Sequence, residues 1–64
     1  MDERDIWRTA DVLLKTYGDA AELTAAKRGD AMLDLGDIDG QRVWRRVLAA
    51  VRELTTVTPG AKPN

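Results

Sequence analysis

Two Gly-Asp pairs, Gly18-Asp19 and Gly36-Asp37, interrupt an otherwise helical pattern and divide this chain of 64 residues into three helix-sized segments. A glycine directly after a helix can adopt the left-handed conformation that satisfies the last carbonyl groups, and an aspartate beside it can accept hydrogen bonds from the first amides of the next helix. Joints this short fold each helix back against the one before it. The pairs therefore predict an all-α fold, a compact three-helix bundle with helices over about 3–17, 20–35 and 38–55.

The chain contains no cysteine and no histidine, which limits both its stabilisation and its chemistry. Disulfides, thiolate nucleophiles, imidazole bases and the usual zinc sites all require one of these residues. A single core in a chain of this size supplies only about 3 to 5 kcal/mol. Association between subunits is the remaining source of stability, so we expect a homo-oligomer, specifically a dimer, with no cofactor and no metal.

Prolines and a glycine near the C-terminus end the helical pattern. We therefore expect one three-helix domain over residues 1–56 and a flexible, disordered tail over 57–64. No apolar run approaches the roughly 18 residues of a membrane span, and the first five residues are too charged for a signal peptide. Together with the absence of cysteine, these features predict a cytoplasmic protein that does not contact a membrane.

Apolar side chains recur at three- and four-residue spacing in each segment, which places them on one side of each helix. The three aromatic side chains, Trp7, Tyr17 and Trp44, fall on these sides and are expected inside, where they would supply much of the buried area. The predicted core, or the seam of a dimer, consists of Trp7, Leu14, Met32, Leu33, Trp44, Val47, Leu48 and Val51.

Gly29 lies in the interior of the second predicted helix, where glycine costs roughly 1 kcal/mol relative to alanine. Either the helix is locally weak and bends there, or a neighbouring backbone packs closely against it. We favour packing, because Ala25 and Ala26 are also small. A ligand pocket beside Gly29 is a further interpretation.

Aspartates stand where each helix is expected to begin. Asp2 with Asp5, and Asp19 with Glu22, have the spacing of a capping box. In this motif the N-cap side chain accepts a hydrogen bond from an amide of the first turn, and the side chain three residues later reaches back to the N-cap amide. Asp37 or Asp39 is expected to cap the third helix.

Asp34, Asp37, Asp39 and Gly40 resemble a calcium loop only faintly. If Asp37 and Asp39 held the third and fifth loop positions, the twelfth, which needs a bidentate glutamate, would be Arg46. Helix capping therefore explains these aspartates better than a metal site does. Every other carboxylate is equally well explained as a cap or a surface charge, and we predict that the chain is not an enzyme.

Charge is unevenly distributed along the chain. Residues 1–39 contain ten acidic and five basic side chains, whereas residues 40–64 contain five basic side chains and one acidic side chain. Three of these bases, Arg42, Arg45 and Arg46, lie opposite the apolar side of the third helix, where guanidinium groups can pair with carboxylates or phosphates. They are the candidate partner-binding residues, and a merely solvated face is the alternative.

Nucleic-acid binding is less consistent with the sequence than protein binding. The net charge is −1, and the acidic first two helices would repel a duplex. Only Gln41 and Arg42 near the start of the third helix could read bases. We therefore predict a non-enzymatic, self-associating protein–protein interaction module that can also bind another protein. The alternative is a small nucleic-acid-associated regulator that uses the arginines of the third helix.

Several short elements follow one another over about residues 5–54: Trp7-x-x-Ala10, Tyr17-Gly18-Asp19-Ala20, Ala26-x-Arg28, Gly36-Asp37-x-x-Gly40 and Trp44. In these elements the chain resembles a family of small uncharacterised bacterial helical proteins, a domain of unknown function. That family usually has His-Gly where this chain has Tyr17-Gly18. The resemblance implies a compact helical unit with two tryptophans and implies no particular activity.

Overall fold

Helices account for nearly all of residues 2–57, which are the residues that the computed structural model describes. They are α1 (Glu3–Tyr17), α2 (Ala21–Asp34) and α3 (Ile38–Val57). α3 packs against both α1 and α2, and α1 also contacts α2. No strand occurs in this part of the chain, so the prediction of a compact all-α fold is confirmed.

The joint between α1 and α2 remains helical, which the sequence did not predict. Gly18–Ala20 forms a 3-10 turn that connects the two helices directly. The described chain therefore has two uninterrupted helical stretches, 3–34 and 38–57. The prediction of three helices separated by non-helical joints is wrong at the first joint. α2 itself is one residue shorter at each end than the predicted 20–35.

The two predicted capping boxes do not form. Asp19 lies inside the 3-10 turn, so Ala20 occupies the N-cap position of α2 and no side chain caps that helix. Asp2 does occupy the N-cap position of α1, but its side chain makes no capping hydrogen bond. Its charge and those of Glu3 and Asp5 still favour the positive end of the helix dipole.

The joint between α2 and α3 is a tight turn with hydrogen bonds on both sides. Gly36 has φ of 79°, and its N–H donates to the carbonyl of Leu33 at 2.9 Å, while the N–H of Asp37 donates to the carbonyl of Met32 at 2.8 Å. This pair of bonds is a Schellman motif, which satisfies the last carbonyls of α2. Asp37 Oδ1 then accepts from the N–H of Gly40 at 2.8 Å, so Asp37 caps α3 as expected.

α3 extends two residues beyond its predicted end at 55. The hydroxyl groups of Thr55 and Thr56 each donate to the carbonyl four residues earlier at 2.8 Å, so both side chains are hydrogen-bonded within the helix. Val57, assigned to the tail, is therefore the last helical residue. The rest of the predicted tail, 58–64, lies outside the described residues.

The core is built from small side chains contributed by all three helices. Half of its members are alanines, so the helices approach closely and little bulk is buried between them. The buried apolar side chains are Ile6, Ala10, Leu13, Ala21, Ala25, Val47, Ala50 and Val51.

Most of the residues predicted for the core lie in it or against it. Val47 and Val51 are fully buried, and the half-buried side chains packed around the core include Trp7, Leu14, Trp44 and Leu48. Met32 is half-buried at the end of α2, with its sulfur close to Gly40.

Leu33 is not part of the core, because its side chain is 49% exposed. Two residues four positions apart on a helix differ by about 40° around the helix axis. Leu33 comes eight positions after the buried Ala25, so its side chain points about 80° away from that of Ala25. Leu33 as part of a dimer seam stays a prediction. Tyr17, also expected inside, is 42% exposed at the end of α1.

α2 is continuous through Gly29, which is buried against α3. A Cβ atom at this position would lie 3.3 Å from the Cβ of Trp44, closer than side chains normally pack. Close packing, and not local weakness, therefore accounts for this glycine. The space beside Gly29, where the sequence suggested a ligand pocket, is occupied by Trp44.

Candidate interaction surface

Two of the four arginines on α3 form ion pairs that connect it to the neighbouring helices. Arg46 Nη2 lies 4.0 Å from Glu3 Oε1 on α1, and Arg52 Nε lies 3.1 Å from Glu22 Oε1 on α2. Both pairs are exposed to solvent, so each adds little to stability. Their effect is to direct the two guanidinium groups sideways, toward α1 and toward α2.

Arg42 and Arg45 are exposed, and neither has an ion pair or a side-chain hydrogen bond within residues 2–57. At 100° per residue they share one side of α3 with Ile38 and Ala49, which are also exposed. We call these four residues the outer face of α3. Of the three arginines predicted to bind a partner, Arg42 and Arg45 make no ion pair in the described part of the chain, whereas Arg46 makes a long ion pair with Glu3 that leaves its side chain 56% exposed.

Three large apolar side chains are exposed where α2 passes into α3. Leu33 is 49% exposed, Leu35 in the turn is 76% exposed and Ile38 at the start of α3 is 49% exposed. A single exposed apolar side chain is ordinary, but a group of them marks a contact site. We call these three residues the apolar corner, which joins the outer face of α3 at Ile38.

Two aspartates accompany the apolar corner. Asp34 is the last residue of α2 and Asp39 lies in the first turn of α3, and both are exposed. Like Arg42 and Arg45, they form no ion pair with any side chain between residues 2 and 57. The surface around the α2–α3 joint therefore combines exposed apolar groups with unpaired charges of both signs.

Arg28 on α2 contacts one aromatic ring on each of the other two helices. Its guanidinium carbon lies 5.4 Å from the ring centroid of Trp44 and 6.0 Å from that of Tyr17. Nη2 also donates to the Tyr17 hydroxyl at 3.3 Å. Such cation–π contacts contribute roughly 0.5 to 1 kcal/mol at exposed sites. The two rings are thus engaged within the molecule, and the cluster has a structural role.

Sequence reasoning did not assign a role to Arg28. It lies 11 positions from Tyr17 and 16 from Trp44, and helical periodicity relates only residues on one helix. The one signal was that Arg28, Tyr17 and Trp44 all belong to the elements on which the family resemblance rests. That pattern does not by itself indicate a contact between them.

Two open grooves flank α3. The groove beside α1 is lined by Glu3, Ile6, Trp7, Arg46, Ala49, Ala50 and Glu53. The groove beside α2 is lined by Asp19, Glu22, Leu23, Ala26, Leu48 and Arg52. Each is crossed by one of the interhelical ion pairs, and neither is lined by Gly29.

The described residues contain no group of three side chains suited to hold a metal ion. Asp37, a candidate calcium ligand by sequence, uses its carboxylate to cap α3. In the same part of the chain no helix combines the length and the apolarity needed to cross a bilayer.

None of the family models, curated proteins or solved structures compared with the chain matches it. The resemblance to small uncharacterised bacterial helical proteins therefore stays a prediction. The function of the chain is inferred from its own surface chemistry, of which the α2–α3 joint is the most distinctive part.

Proposed function

We propose that the chain is a non-enzymatic protein–protein interaction module that associates with a second copy of itself. The observation that carries this proposal is the apolar corner beside two unpaired arginines, on a domain whose own core is rich in alanine. Each Å² of apolar surface removed from water contributes about 25 cal/mol, so covering the corner stabilises an association. The module would act by occluding or presenting a surface.

The nature of the unpaired charges supports a protein partner. Asp34 and Asp39 lie in the same region as Arg42 and Arg45, and they would repel the phosphates of a nucleic acid. A protein surface, in contrast, can carry complementary charges of both signs. The chain can also bind another protein through the same arginines.

The alternative function, a nucleic-acid-associated regulator, is favoured by one observation, the availability of Arg42 and Arg45. On duplex DNA, the logarithm of the binding constant falls by about 0.9 per phosphate contact for each unit of log salt concentration. Two phosphate contacts would therefore lose roughly tenfold in affinity between about 50 and 200 mM salt. Titration of a labelled duplex at these two salt concentrations measures that loss. We expect no specific binding at either concentration.

Sedimentation equilibrium of the full chain over a wide concentration range tests the proposed self-association. We expect the mass to rise from the 7.1 kDa of one chain toward twice that value, and to do so at high salt as well. Apolar contacts are not weakened by salt, whereas exposed ion pairs are screened. A mass of 7.1 kDa at every concentration would contradict self-association.

A further inference from the structure

We infer that the apolar corner and the outer face of α3 together form a two-fold symmetric dimer interface, in which Arg42 and Arg45 of each copy face Asp39 and Asp34 of the other. This inference rests on the proposed self-association and deepens it by naming the surface, the partner and the symmetry. The partner is a second copy of this chain.

The surface around the α2–α3 joint is complementary to itself. In a two-fold interface the same patch meets itself, so it must carry both members of every complementary pair. The α2–α3 joint meets this condition, because two aspartates and two arginines without ion pairs in residues 2–57 surround the apolar corner.

The charges near the joint have a definite order along α3. At 1.5 Å per residue, Arg42 and Arg45 lie about 6 and 10 Å beyond Ile38 along the helix axis. Asp39 lies beside Ile38, and Asp34 precedes the turn that leads into α3. The acidic groups therefore lie at the α2–α3 joint, and the two arginines lie farther along α3.

A two-fold axis that passes beside the outer face of α3, perpendicular to the helix and level with the segment between Ile38 and Arg42, makes use of this order. The two α3 helices then run antiparallel, which brings Arg42 of one copy opposite Asp39 of the other, and Arg45 opposite Asp34. The apolar corner of each copy lies beside these charge pairs. Complementary charges at the edge of an apolar contact fix its register and disfavour other arrangements.

Elsewhere on the described surface, the large exposed apolar side chains are Val12 and Tyr17 on α1 and Leu23 on α2, which are separated from one another along the chain. On the solvent side of α1, Lys15 Nζ and Asp11 Oδ2 already form an ion pair at 3.0 Å, and Val12 is an isolated exposed apolar side chain. Arg46 and Arg52 at the sides of α3 are engaged with Glu3 and Glu22. The α2–α3 joint thus offers exposed apolar area together with unpaired charges of both signs.

Charge reversal with mixing tests this inference. One variant carries R42E and R45E, and the other carries D34K and D39K. Each variant alone places like charges opposite each other, so we expect its dimer dissociation constant to rise at least tenfold. In an equimolar mixture, all the facing pairs are again of opposite sign, and we expect a heterodimer, detected by native mass spectrometry with one variant labelled with ¹⁵N.

A matched control separates local contacts from net charge. R4E with R8E changes the net charge as much as R42E with R45E does, but on the solvent side of α1, where both arginines are exposed. We expect this control to dimerise as the wild type does. Circular dichroism of every variant establishes that it is folded.

Leu35→Ser provides a second test, which does not depend on charge and does not require the charge-reversed variants to be folded. Leu35 is 76% exposed in the turn, so its replacement leaves the packed helices intact and removes apolar area from the corner. We expect weaker dimerisation by about tenfold. If Leu35→Ser dimerises like the wild type, the inferred interface is wrong.

The possible failures are distinguishable. A wild-type chain that remains monomeric overturns both the self-association and the inferred interface. A wild-type dimer whose charge-reversed variants still dimerise alone, or fail to pair when mixed, overturns the interface and leaves the proposed function standing. Dimers of the wild type and the control, monomers of each charge-reversed variant and a heterodimer in the mixture support the inference.

Discussion

Gly29 determines how closely α2 approaches α3. A Cβ at this position would lie only 3.3 Å from the Cβ of Trp44, so a larger side chain must push the helices apart. We expect Gly29→Leu to lower the free energy of unfolding by roughly 1 to 3 kcal/mol through overpacking. Urea denaturation followed by circular dichroism measures this loss.

Ala31→Leu is the matched control, because Ala31 lies on the same helix and is exposed. An exposed substitution of this kind changes stability by no more than about 0.5 kcal/mol. Equal midpoints for the Gly29 and Ala31 variants would contradict the close packing of α2 on α3.

Trp44 contributes at both of its ends, since its Cβ packs against Gly29 and its ring lies 5.4 Å from the Arg28 guanidinium. Because the side chain is half-buried, we expect Trp44→Ala to cost about 2 to 4 kcal/mol, toward the lower part of the range for buried tryptophan. Thermal denaturation tests this, with Trp44→Phe as a control that retains a ring. An unchanged melting temperature for Trp44→Ala would contradict the packing described here.

At the level of single residues, periodicity predicts which side of a helix is apolar but not how deeply each side chain is buried. Val47 and Val51, at the centre of the apolar side of α3, are fully buried. Leu33 and Tyr17, each at the end of a helix, are exposed, because no neighbouring helix covers them there. Contacts between helices, such as that of Arg28 with two aromatic rings, are not encoded in the spacing of residues on one helix.

Among the helix starts, that of α3 is the one with a side-chain cap within the described chain. We expect Asp37→Ala to reduce the free energy of unfolding by about 1 kcal/mol, because the amide of Gly40 loses its acceptor. Asp2→Ala is the control, since Asp2 also holds an N-cap position but makes no capping hydrogen bond. Chemical denaturation of both variants should show the larger loss for Asp37→Ala, and the reverse order would contradict the assignment.

The two Gly-Asp joints show what local sequence encodes and what it does not. Both glycines have positive φ, at 56° for Gly18 and 79° for Gly36, although Gly18 with ψ of −121° lies outside the left-handed helical region. Only the second joint leaves the helix, however, because Gly18–Ala20 forms a 3-10 turn in which the Ala21 N–H donates to the carbonyl of Gly18 and so continues the helical bonding. Nothing in the two dipeptides themselves distinguishes these outcomes, which depend on how the neighbouring helices pack.

At the scale of the whole molecule, the sequence predicted part of the candidate surface. Arg42 and Arg45 were assigned to a partner-binding face, and they are exposed without ion pairs in the described part of the chain. Arg46 was assigned with them, but its pairing with Glu3 joins positions 43 residues apart, which only the tertiary structure reveals. Likewise, Leu35 lies on the apolar side of α2 by periodicity but is exposed beyond the end of that helix.

Amide chemical shifts of the ¹⁵N-labelled full chain across a dilution series test the central claim most directly, because they report both whether the chain self-associates and where. We predict concentration-dependent shifts grouped from Leu33 to Ala49, with the solvent side of α1 around Arg8 and Asp11 unchanged. Shifts that do not depend on concentration, or that are centred on α1, would contradict association through the α2–α3 joint.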